Sequence, residues 1–145
     1  MKAAILVVLV AACGDDGGKP SYPDAAKAAD ANLLLDAAPA RETITGNPPL
    51  EPGELVEGIM TGGASDTALL HIQAPVGSTI DWNIHSHATG HAVTVYEEYG
   101  KNTIDYSFTP PGDGEWYLLV KNSSGQNINV EVEVKLYGAM AWRWE

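Results

Sequence analysis

Cysteine is almost missing: the 145-residue chain carries one, Cys13, so an internal disulfide is excluded. Basic residues are few, eight Lys and Arg against nineteen Asp and Glu, for a formal charge of −11. So acidic a surface repels nucleic acid and anionic headgroups, which argues against both as direct partners. Long apolar runs are also lacking. The longest covers residues 3–12, short of the ~20 needed to span a bilayer. No glycine-rich phosphate loop occurs, because Gly62-Gly63 lacks the following Lys and helix. None of Ser65, Ser78, Ser86, Ser123 or Ser124 sits in a nucleophile elbow. Glu97 and Glu98 are adjacent, so on a strand they point to opposite faces and cannot share acid–base work. A non-enzymatic role is the expectation.

What is present begins with an export pattern. Met1 and Lys2 form a minimal positive start, the ten apolar residues suit a signal-peptide core, and small residues precede Cys13. The run Val10-Ala11-Ala12-Cys13 resembles the lipobox of bacterial lipoproteins. That resemblance implies a signal peptide over 1–12 and a lipidated Cys13 anchoring the chain in the cell envelope. Cleavage leaves seven Lys and Arg against nineteen acids, a charge of −12. Gly14 stands where an aspartate retains enterobacterial lipoproteins in the inner membrane, so the resemblance implies the outer membrane.

Residues 13–52 read as a flexible linker, rich in Gly, Ala, Asp and Pro and poor in aromatic or β-branched residues. Within it, 24–38 is alanine-rich behind the N-cap candidate Asp24, enough for a frayed helix. From Gly53 onward the texture changes to short alternating runs split by Gly, Pro and Asn. Strands are predicted over 54–61, 68–74, 79–85, 92–99, 103–109, 115–122 and 127–137. The last is the clearest, with Ile128, Val130, Val132, Val134 and Leu136 alternating against polar residues. The 115–122 segment is apolar on both faces, as a central strand is. Seven strands spaced about ten residues apart predict a single all-β domain over 53–145, an antiparallel β-sandwich of jelly-roll or immunoglobulin-like type. Met140, Trp142 and Trp144 share one face of a terminal extended stretch. Buried, they close the sandwich as an eighth strand; exposed, Trp142 and Trp144 form a platform for a glycan or envelope protein.

The run Tyr106-Ser107-Phe108-Thr109-Pro110-Pro111-Gly112-Asp113-Gly114-Glu115-Trp116-Tyr117-Leu118-Leu119-Val120-Lys121-Asn122 resembles a pattern of small extracytoplasmic sandwiches. In it a strand ending F-T-x-P turns through D-G into an aromatic strand. Bacterial pre-peptidase C-terminal domains and GOLD domains share that pattern, and both are mostly non-catalytic accessory or binding modules. The resemblance implies such a module here, while the histidine cluster departs from it.

That cluster is His85-Ser86-His87-Ala88-Thr89-Gly90-His91. On a strand, residues i and i+2 share a face about 7 Å apart, so His85 and His87 can reach one ion. His91, beyond a Gly90 turn, is the expected third ligand. Copper or zinc suits imidazoles in an exported protein, making a periplasmic metal-binding protein the alternative to a binding module. Carbohydrate binding through Trp142 and Trp144 is the third reading.

Overall fold

The computed structural model describes residues 39–87 and 90–145. The export pattern, Cys13 and the 24–38 segment lie outside the described residues. All the described regular structure is β. In chain order the strands are β1 (Glu42–Gly46), β2 (Pro49–Leu50), β3 (Leu55–Gly62), β4 (Thr67–Gln73), β5 (Ile80–Ser86) and β6 (Val93–Lys101). There follow β7 (Thr103–Phe108), β8 (Gly114–Asn122), β9 (Ile128–Asn129), β10 (Glu131–Tyr137) and β11 (Ala141–Trp144).

One sheet runs β1-β10-β4-β7 and the other β11-β3-β8-β5-β6, with β2-β9 as a small third ladder. Every pairing is antiparallel. The alternation explains the packing. Leu70, Ile72, Val132, Val134 and Leu136 of the first sheet face Met60, Trp82, Ile84, Leu118 and Val120 of the second, all buried. Two such faces can leave water only by stacking against each other. β8, apolar on both sides, is the central strand as predicted. Trp82 is 1% exposed, and its Nε1–H donates to Glu98 at the margin of the core over 3.2 Å, so the buried indole is satisfied.

The ordered fold starts earlier than the composition suggests. Residues 42–50, read above as part of the linker, contain β1 and β2. β1 pairs with β10, placing Ile44 opposite Val134 against the core, and Leu50 of β2 is 3% exposed. An edge strand needs only one good neighbour, and the strongly alternating β10 supplies it. Asn122, fully buried, welds this end together: its Nδ2 donates to the carbonyls of Leu50 and Gln126, and its Oδ1 accepts from Ser124. The 127–137 segment is broken at Val130 into β9 and β10. β11 is the eighth strand of the buried alternative, pairing with β3 from Ala141 to Trp144.

Candidate functional site

β5 carries the histidines at its end. Its first five residues alternate strictly, Ile80, Trp82 and Ile84 inward and Asp81 and Asn83 outward, but Ile84, His85 and Ser86 are all buried. A register shift against β6 between Ile84 and His85 accompanies this break; a bulge of that kind re-aims side chains at a sheet edge. His85 sits on the outer face of the five-stranded sheet opposite Tyr117 of β8, and the two rings stack at 5.3 Å and 20°.

Only 6% of His85 is exposed. Its Nδ1 lies 2.8 Å from Asn83 Oδ1. An amide oxygen only accepts, so Nδ1–H is the donor and Nε2 keeps its lone pair while the ring is neutral. The Nε2 of His87 stands 3.0 Å from that lone pair, and its ring lies 4.6 Å from Tyr117. Glu57, on β3, brings Oε1 to 3.7 Å from His85 Nε2. Burial, and then the neighbouring His87, push His85 below the ordinary histidine range. Burial also pushes the Glu57 carboxyl up, the nearby Glu145 carboxylate adds to the rise, and His87 partly opposes it.

Beside this cluster a groove of about 500 Å³ opens between the end of β5 and the turn leading into β8. His87, Trp116 and Tyr117 line its aromatic side, and Asp113, Glu115 and Ser86 its polar side. Arg143 of β11 holds Glu115 at 2.9 Å, and the Tyr117 hydroxyl donates to the same carboxylate at 3.2 Å. These contacts, the Arg143 bond first, keep the Glu115 carboxyl below its usual range. The groove is therefore walled by rings and rimmed by the carboxyl groups of Asp113 and Glu115.

Of the predicted site residues, the fold unites His85 and His87 and leaves His91 out. After His87 the chain turns, Gly90 N–H donating to the His87 carbonyl, and His91 lies exposed as the chain enters β6. As they stand, no three His, Cys, Asp or Glu side chains among the described residues gather in a way that could hold a metal ion. His71 belongs to the opposite sheet, where it bonds Asp105 at 2.7 Å. Trp142 packs against the core rather than forming a platform; Trp144, 39% exposed, stands perpendicular to it at the margin. Glu57 and Tyr117 were not anticipated. Their place beside β5 depends on the β3–β8–β5 pairing, which leaves no mark in the local pattern.

No protein-family model matches the sequence, and no curated protein matches it. Among solved structures, the mitogen derived from Yersinia pseudotuberculosis is similar, with TM-score 0.52 and 13% identity over 66% of this chain and 86% of that one. A periplasmic inhibitor of g-type lysozyme from Aeromonas hydrophila gives TM-score 0.49 at 11% identity over 66% and 86%. The pre-peptidase C-terminal domain of a Bacillus anthracis collagenase gives 0.48 at 20% identity over 68% and 91%. At such identities the likeness is one of fold, and the chain is an antiparallel β-sandwich.

Proposed function

We propose that the chain is a lipid-anchored, extracytoplasmic binding module without catalytic activity, and that its ligand, a glycan or a segment of an envelope protein, enters the groove beside β5 and β8. The observation that carries this reading is the groove itself, which the rings of Tyr117 and His87 line beside the carboxyl groups of Asp113 and Glu115. Sugars and polar peptides bind in that way, an apolar face against a ring and hydroxyl or amide donors on fixed acceptors. The acidic rim disfavours anionic ligands. The anchor rests on the lipobox-like run before Cys13.

The test is calorimetry of the purified protein against soluble glycans, peptidoglycan fragments among them, with Tyr117→Ala and Asp113→Asn as probes. Binding that both substitutions weaken supports the reading. Binding that is indifferent to both but lost in Trp144→Ala would move the site to the β11 margin, and no binding to glycan or envelope peptide would sink it.

A second reading is favoured by one distance. Two imidazole nitrogens 3.0 Å apart, one of them held with its lone pair outward by Asn83, suit a shared copper or zinc ion.

A further inference from the structure

We propose that Glu57, not His91, is the third ligand of a divalent transition-metal ion shared by His85 and His87. The inference rests on the metal reading of the histidine pair and gives it a different ligand set.

Donor spacing is the first argument. Zinc takes nitrogen and carboxylate oxygen at about 2.0–2.2 Å in a tetrahedron, which separates neighbouring donors by roughly 3.3–3.5 Å. The observed separations, 3.0 Å between the two Nε2 atoms and 3.7 Å from His85 Nε2 to Glu57 Oε1, fall on either side of that range. Glu57 pairs with His85 and makes no ion pair with His87, so its carboxylate must rotate toward His87 to complete the triad, which its 22% side-chain exposure leaves room for.

Orientation is the second. A ligating histidine typically spends its other ring nitrogen on an outer partner that fixes tautomer and ring plane. Asn83 does this for His85, and the Tyr117 ring stacks beneath it. The rotamer is therefore set before any ion arrives, and little ordering remains to be done at binding.

Topology is the third. β8 alone separates β3 from β5, so Glu57 and His85 approach one another from strands two apart in the same sheet. His91, by contrast, lies exposed beyond the turn that the Gly90 N–H closes on the His87 carbonyl.

The experiment is Zn²⁺ titration at pH 7.5 of the full chain carrying Cys13→Ser, which removes the sole thiol as a competing ligand. The expected result is one site, weakened at least about tenfold by Glu57→Gln and by His87→Gln, and unchanged by His91→Ala. Co²⁺ should enter the same site, with a visible spectrum that shifts in Glu57→Gln because a neutral amide replaces the anionic carboxylate donor. Unchanged melting of each variant without metal separates ligand loss from misfolding. If the histidines are needed but Glu57→Gln binds as the parent does, the Glu57 assignment is overturned while the histidine-pair reading survives. A loss in His91→Ala has the same consequence. If the parent binds no better than the His85/His87 double variant, both ideas fail together.

Discussion

The indole of Trp142 lies across the backbone of Gly58, so near that a Cβ at position 58 would stand 2.1 Å from its Cζ2 and Cη2 atoms. β11 is an edge strand whose backbone pairs with β3 alone, so this contact bears directly on how the C-terminal strand closes the sandwich margin. Gly58→Ala should displace the ring and destabilise the fold by about 1–3 kcal/mol, the usual scale of overpacking. Gly125→Ala, where a Cβ meets nothing within 4 Å, is the control. Thermal melts followed by tryptophan fluorescence check both. Equal melting temperatures for the two variants would refute the contact.

The N-terminal margin makes a second prediction. β1 and β2 supply Ile44 and Leu50 to the core, and β1 covers the edge of β10. A chain of residues 53–145 should therefore melt well below one of residues 39–145, and should aggregate more readily through the bared β10 edge. Calorimetry and light scattering at matched concentration measure this. Identical melts would mean that the first two strands merely decorate a complete domain.

Buried polar groups give a third. Asn122 satisfies the Leu50 and Gln126 carbonyls and the Ser124 amide from a fully buried position. Asn122→Leu removes every one of those partners and should cost about 2–4 kcal/mol, read from urea denaturation. A loss below about 0.5 kcal/mol, ordinary for surface sites, would contradict this role.

The histidine pair predicts a pH dependence. His85 is held below the ordinary histidine value, 6.5, by burial and by His87. Between that value and its lower folded one, the unfolded chain binds more protons. Its contribution to stability is thus present above pH 6.5 and is lost as pH falls through the folded pKa. Glu57 runs the other way. Raised above 4.5, its contribution is present below pH 4.5 and lost as pH rises through the folded value, so the ionised carboxylate lowers stability at neutral pH. Urea denaturation without added metal should find wild type less stable at pH 5.5 than at 7.5, and His85→Gln less sensitive to that change. Glu57→Gln should exceed wild type at pH 7.5. Parallel pH slopes for wild type and His85→Gln would show that the buried imidazole is not the titrating group.

Anchoring is tested directly. In a bacterial host the wild-type chain should incorporate labelled palmitate and fractionate with membranes, whereas Cys13→Ser should lose the label. Unlabelled wild type released freely would remove the anchor from the proposal.

By itself the sequence determined most of the strands and which way their side chains point. Ile128 to Leu136, Ile80 to Ile84 and Leu70 to Ile72 alternate with period two, and that period is a local property of the extended backbone. It also determined that His85 shares a face with Asn83 and lies two residues from His87, and they do hydrogen-bond. Only the tertiary structure decided that Glu42-Thr43-Ile44-Thr45-Gly46 is a strand. The segment has one large apolar residue and lies among prolines, and its partner β10 is about ninety residues away. Only the tertiary structure, likewise, set Glu57 beside His85, carried Trp142 onto Gly58 and turned His91 outward. Each of these follows from which strand lies next to which and in what register. That choice is made by the joint burial of two whole sheet faces, to which any one segment contributes too little for its neighbours to be read from its own residues.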